Sequence, residues 1–133
     1  MDRKVDTVEG EVILAVGATL AGLGVAAGAF GAHLLRTRLT GAELEMWRTA
    51  ASYQMFHALA LIVVGRLLTR HGTGLLRATC WLFIIGIVFF SGSLYLLAIK
   101  GHPALGSITP FGGVAFLAGW ACLAVDVARS GRS

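Results

Sequence analysis

Tyr53, Gln54 and His57 fall within one turn and a half of each other in the otherwise apolar stretch YQMFHALAL, with Tyr53 and His57 four apart on one helical face. A second apolar stretch, FSGSLYLLAI, carries Ser91, Ser93 and Tyr95, and Ser91 shares a face with Tyr95. His33 stands alone in GAFGAHLL, and Thr109 precedes Pro110. Histidine is the side chain whose charge changes nearest physiological pH, so His33 and His57 are the titratable members of this set. A hydrolase built on His57 with Ser91 or Ser93 would need an acid to orient the imidazole, and none lies nearby in the sequence. Two histidines without a thiol or carboxylate beside them do not complete a zinc or copper site. The expectation is therefore no catalytic residue, no metal and no cofactor, with a membrane-embedded enzyme using His57 and a serine as the alternative.

These groups must be positioned by elements that lie in lipid. Of 133 residues, 56% are hydrophobic and 14% charged, and the mean hydropathy is +0.78. Soluble domains carry about 25% charged residues, and a chain this short cannot hide so much apolar surface from water. Apolar runs cover about 12–35, 47–68, 75–99 and 110–128. Each is long enough to span a bilayer and must satisfy its own backbone, so each is a helix. The predicted architecture is an all-α, four-helix transmembrane bundle with antiparallel neighbours and short loops, in one membrane domain covering 1–133. Thr40, three residues ahead of Glu43, marks the start of the second helix. Pro103 and Pro110 punctuate the stretch between the third and fourth.

The charges agree with a bilayer partner and not with nucleic acid. The net charge is +4, but the basic residues sit at the ends of apolar runs and form no continuous patch. Arg3, Lys4, Arg66, Arg70, Arg77, Arg129 and Arg132 fall on the side of the termini; Arg36, Arg38, Arg48 and Lys100 fall on the other. That bias places both termini in the cytoplasm. The opening MDRKVDTVEGE mixes both signs, unlike a signal peptide, and reads as a solvated leader. Cys80 and Cys122 lie in apolar runs without a CxxC spacing and read as reduced, buried thiols.

Small residues recur at helical spacing. Gly17, Ala21, Gly24, Gly28 and Gly31 make a seam on the first helix; Gly112, Ala115, Gly119 and Cys122 make another on the fourth, with Asp126 beyond it. In lipid, close backbone approach drives helix association, so the first and fourth helices are expected to pack along these seams. Gly24 and Gly28 also form a GxxxG pattern, which offers a homodimer or another membrane-protein partner as the alternative. Asp126 is expected to pair with Arg129, Arg3 or Lys4.

By depth, His33, Tyr53, Gln54, His57, Ser91, Ser93, Tyr95 and Thr109 all belong to the half of the membrane away from the termini. Polar groups facing lipid are costly, so they should turn inward. Two readings follow: a hydrogen-bonded knot that fixes helix register, or a small polar cavity, walled by the two histidines, that handles a ligand, a proton or a solute. GAFGAHLL, YQMFHALAL, FSGSLYLLAI and TPFGGVAFLAGW, in this order, resemble the small four-span proteins grouped as domain of unknown function 423, whose animal relatives are called transmembrane protein 256. The resemblance runs from the first span to the fourth. It implies a multi-pass membrane protein, in bacteria of the inner membrane, with no activity or catalytic residue to carry over. Its pattern falls here on His33, Tyr53, Gln54, His57, Ser91, Ser93, Tyr95, Thr109, Pro110, Gly112 and Gly113. The sequence thus points to a non-enzymatic bundle or accessory subunit, with a purely structural subunit of a larger complex as a further alternative.

Overall fold

Thr40 starts the second helix as its neighbours dictate. Its hydroxyl accepts the Glu43 N–H at 3.2 Å, and a Glu43 carboxylate oxygen accepts the Thr40 N–H at 2.8 Å, closing a capping box. Thr73 does the same work one span later, accepting the Leu76 N–H at 3.1 Å. The computed structural model describes residues 3–131. They form α1 (Arg3–Phe30), α2 (Gly41–Leu68), α3 (Gly74–Gly86), α4 (Gly92–Lys100), α5 (Pro103–Gly106) and α6 (Thr109–Ser130). A π-helical turn at Gly31–Leu35 prolongs α1, and another at Ile87–Ser91 joins α3 to α4. Four continuous spans result, each of 27 to 33 residues. At 1.5 Å per residue these are about 40 to 50 Å long, enough to cross a hydrocarbon layer of ~30 Å. No strand occurs among the described residues. The protein is an all-α, four-helix transmembrane bundle with antiparallel neighbours.

α2 is the hub. It packs on α1 along one side and on α3, the second π turn and α4 along the other, while α6 packs on α3 and that π turn. The expected pairing of the first and fourth helices is not what forms; each small-residue seam finds a different partner. On α1 the seam is Gly10, Gly17, Gly24 and Gly31, spaced by seven. All four are buried and face α2. A strict seven-residue repeat keeps one stripe on a partner helix along its whole length. A Cβ on Gly17 would meet the Ala58 carbonyl oxygen at 2.9 Å, and one on Gly65 the Leu14 N at 2.9 Å. Gly28, expected in the seam, looks outward with nothing within 4 Å of its Cβ position. Since Gly24 is covered by Met55 and Gln54, the two glycines of the GxxxG pattern do not share a free face.

The other seam exchanges glycine for phenylalanine in both directions. Gly119 of α6 receives the ring of Phe83 and Gly86 of α3 the ring of Phe116, while Gly112 of α6 lies against the backbone of Phe89 and Phe90 in the second π turn. Each ring fills the space that a missing side chain leaves, which gives antiparallel α3 and α6 dispersion contact that lipid chains cannot match. A buried core of Leu61, Val64, Leu68, Leu76, Phe83 and Phe116 fills the half nearer the termini. Leu35, Leu44, Trp47 and Ala98 close the other end. The largest exposed apolar side chains, among them Phe111, Leu117, Val25 and Trp81, point to the bilayer. The return from α4 to α5 turns on Gly101, whose φ of +64° is a left-handed helix cap that suits glycine.

Candidate functional site

Within the bundle, the buried polar side chains clasp helices to one another. Gln54 is 6% exposed and reaches both ways from α2. Its Nε2 donates to the Leu20 carbonyl of α1 at 2.8 Å, and its Oε1 accepts the Tyr95 hydroxyl of α4 at 2.8 Å. Trp47 Nε1 donates to the Ala27 carbonyl at 2.7 Å. The Ser91 hydroxyl, in the π turn, donates to the Ala50 carbonyl at 2.7 Å. Ser93 and Thr109 share a hydroxyl–hydroxyl bond of 2.6 Å between α4 and α6. The carbonyls that accept are helical, so each uses its second lone pair and loses no backbone bond.

His57 joins α2 to α6. Its Nδ1 lies 2.7 Å from the Tyr53 carbonyl, and its Nε2 accepts the Trp120 indole N–H at 3.0 Å. An indole nitrogen only donates, so Nε2 carries no proton and Nδ1–H donates to Tyr53: the ring is the neutral Nδ1–H tautomer. It stacks on Phe116 with centroids 3.5 Å apart and meets Phe83 edge-on at 5.2 Å. Neither Ser91 nor Ser93 is among its partners, so the histidine–serine pairing of the enzymatic alternative is not assembled.

Beside His57 a cleft of about 510 Å³ opens between α2, the second π turn and α6. The rings of Tyr53, Phe90, Phe116 and Trp120 wall it, with Gly113 and Leu117 at its mouth. Leu117 is 73% exposed, so the mouth faces the acyl chains. Tyr53 packs its ring on Phe90 at 4.7 Å, but its hydroxyl has no hydrogen-bond partner among the described residues. Tyr53 lies near the middle of α2, within the apolar part of its span. A phenol there has no water to turn to. Gln54 and Tyr95 line a different groove of about 540 Å³, between α1 and α4.

A family model described as "Protein of unknown function (DUF423)" matches residues 27–113, which hold both π turns and most of these clasps. The chain belongs to the DUF423 family. Curated relatives carry the name UPF0382 membrane protein. One from Staphylococcus saprophyticus is 43% identical over 86% of this chain and 95% of its own length. One from Staphylococcus epidermidis is 44% identical over 86% and 93%. YwdK of Bacillus subtilis is 44% identical over 90% and 98%. No solved structure matches. With four apolar spans and these relatives, this DUF423 chain is a multi-pass membrane protein.

The candidate polar cluster of the DUF423 chain does not form a single pocket. Gln54 with Tyr95, Ser91, Ser93 with Thr109, and His57 make four separate clasps. His33 is exposed on the first π turn, away from them, because that turn directs Gly31 and Leu35 to α2 and leaves positions 32–34 outward. Tyr53 is 40% exposed and reaches the cleft but no clasp. What sequence reasoning missed is the aromatic wall: Phe90, Phe116 and Trp120. A signal was present, since Trp120 stands near the middle of its span instead of at the interface where tryptophan collects.

The terminal side of the DUF423 bundle is also richer than expected. The acidic leader is helical from Arg3, and its Asp6 and Glu9 clamp Arg77 of α3, with Arg77 Nε donating to Glu9 at 2.7 Å. The Thr79 hydroxyl donates to the Leu75 and Gly119 carbonyls. Asp126 accepts the Thr73 hydroxyl and has His71 Nε2 at 3.7 Å, because its side chain turns into the α3–α6 interface, where it is buried. Cys80 is buried and Cys122 half-buried, both as free thiols. Arg132 lies outside the described residues.

Proposed function

We propose that this protein is a non-catalytic component of the bacterial inner membrane, with both termini cytoplasmic, that holds a planar, lipid-soluble carbonyl compound in the α2–α6 cleft. The observation that carries the reading is the Tyr53 hydroxyl, a donor without a partner among the described residues, in a ring-lined cleft along an apolar span. An unmet hydroxyl in an apolar medium costs about 1–3 kcal/mol by mutational measures, and a ligand carbonyl relieves that cost. Flat walls favour a flat ligand, since offset stacking adds to the buried area. His57 serves as a wall and not as a base, because both ring nitrogens are already bonded.

Benzophenone, a lipid-soluble ketone that inserts into C–H bonds on illumination, tests the site directly. In vesicles holding the full chain, its crosslinks are expected on residues 53–57 and 110–120. Gly113 has room for a Cβ, the nearest atom being Phe90 Cδ2 at 3.8 Å, so Gly113→Phe fills the cleft without a backbone clash and should abolish those crosslinks. Crosslinks spread over lipid-facing positions of all helices, unchanged by Gly113→Phe, would sink the reading.

The orientation rests on seven basic residues against four. A C-terminal fluorescent protein that matures only in the cytoplasm should fluoresce, and a C-terminal alkaline phosphatase should stay silent. Active phosphatase would reverse the topology.

A further inference from the structure

At the membrane end where α1 begins and α6 finishes, a second feature stands apart from the cleft. A pocket of about 550 Å³ lies between the start of α3 and the end of α6, lined by Thr73, Gly74, Leu75, Asp126, Arg129 and Ser130. Asp126 is 3% exposed. One of its carboxylate oxygens accepts the Thr73 hydroxyl, while the other, Oδ2, is buried with no hydrogen-bond partner. His71 Nε2 stands 3.7 Å from Oδ2, too far for a hydrogen bond. A buried carboxylate oxygen demands a donor, and a charged one most of all.

We propose that this pocket seats the phosphoethanolamine headgroup of a bilayer lipid. The primary ammonium, with three N–H donors, supplies what Asp126 Oδ2 lacks. His71 is 43% exposed at its side chain and has room to turn outward as the ammonium takes its place. The phosphate meets two features of the same pocket. Arg129 forms no ion pair with any described residue, and its planar guanidinium matches phosphate oxygens. The Gly74 and Leu75 N–H groups precede the first bond of α3, from Arg77 N to the Thr73 carbonyl, so they are unpaired and lie at the positive end of the helix. Gly74 presents no side chain, and nothing lies within 4 Å of its Cβ position. The pocket sits where spans α2, α3 and α6 end, the depth at which lipid headgroups lie. A choline headgroup carries no N–H for Asp126, and a glycerol headgroup carries no positive charge.

The test is native mass spectrometry of the full chain released from micelles with an equimolar mixture of phosphatidylethanolamine, phosphatidylcholine and phosphatidylglycerol of matched acyl chains. Wild type is expected to retain the ethanolamine lipid about tenfold over the other two, the ratio that one charge-assisted hydrogen bond supplies. Asp126→Asn keeps an acceptor for Thr73 but should bring ethanolamine retention down to the choline level. Arg129→Gln, at an exposed position, should reduce retention of all three lipids. Soluble phosphoethanolamine at millimolar concentration should fail to displace the lipid; equal displacement would assign the pocket to a free solute and overturn the lipid. Equal retention of the three lipids by wild type, or an unchanged preference in Asp126→Asn, would overturn the proposal. If Asp126→Asn does not fold, unchanged retention in Arg129→Gln overturns it as well.

Discussion

Gly65→Leu is expected to separate α1 from α2. Gly65 and Gly10 press their backbones together: a Cβ on Gly65 would meet Leu14 N at 2.9 Å and the Gly10 carbonyl oxygen at 3.0 Å. These are backbone atoms of a helix, which cannot rotate away as a side chain would. Overpacking a tight site costs about 1–3 kcal/mol, and with both obstacles in backbone the upper end, about 3 kcal/mol, applies. The loss also spreads, because the Trp47 and Gln54 clasps to α1 depend on the same approach. Thermal unfolding in detergent should show a much lower midpoint for Gly65→Leu, while Gly28→Leu, at an open position, should leave it unchanged. Equal stability of the two variants would remove the α1–α2 seam from the account.

Gln54→Leu should be the most damaging of the polar substitutions. Among the described residues, Gln54 alone joins three helices by side-chain hydrogen bonds, and the two bonds it makes are not equal in consequence. When Gln54 is removed, the Leu20 carbonyl keeps its place in α1 and its intrahelical bond. The Tyr95 hydroxyl loses its acceptor in a groove that faces lipid. Interhelical hydrogen bonds in membranes average about 0.6 kcal/mol, but an orphaned polar group adds about 1–3 kcal/mol. A loss of about 2 kcal/mol is therefore expected for Gln54→Leu. Adding Tyr95→Phe should restore part of it, since the orphan is then gone. A double-mutant cycle on unfolding midpoints checks this, and strict additivity would show that the two side chains do not act as a pair.

How much of this was legible follows from what each signal encodes. The spans were legible because lipid demands unbroken apolar helices, and the Thr40–Glu43 box fixed the start of α2 to the residue. Of the polar residues expected to turn inward, Gln54, His57, Ser91 and Ser93 are buried, while His33 and Tyr53 are exposed. Which helix each would meet was not legible. Spacing within one helix says which residues share a face, not which neighbour covers that face. The seams of α1 and α6 look complementary in sequence, yet α1 found Gly65 and Ala58 on α2, and α6 found Phe83 on α3 and the π-turn backbone at Phe89 and Phe90.

The π turns were hidden for a related reason. Nothing in GAHLL or IVFFS breaks a helical pattern, but each widened turn offsets the faces that follow. That offset carries His33 to the outside and sets Ser91 against the Ala50 carbonyl. Gly10 was overlooked because it lies in a stretch that reads as a charged leader. The helix in fact begins at Arg3, with Asp6 and Glu9 committed to Arg77.

The cleft reading and the clasp reading make opposite demands on Tyr53, whose hydroxyl holds nothing together within the described residues. Tyr53→Phe therefore separates ligand binding from stability. The deciding measurement is a titration of vesicles holding the full chain, in a Trp81→Phe background that removes the lipid-facing tryptophan, with menadione, a planar lipid-soluble dicarbonyl that quenches tryptophan, followed by the quenching of the cleft residue Trp120 over the constant emission of buried Trp47. Saturable quenching is expected in wild type, with affinity about tenfold weaker in Tyr53→Phe, the value of roughly one hydrogen bond, and an unfolding midpoint the same in both. Quenching that rises linearly without saturation, or saturates identically in Tyr53→Phe, would contradict a binding site at Tyr53 and leave the bundle as a set of structural clasps.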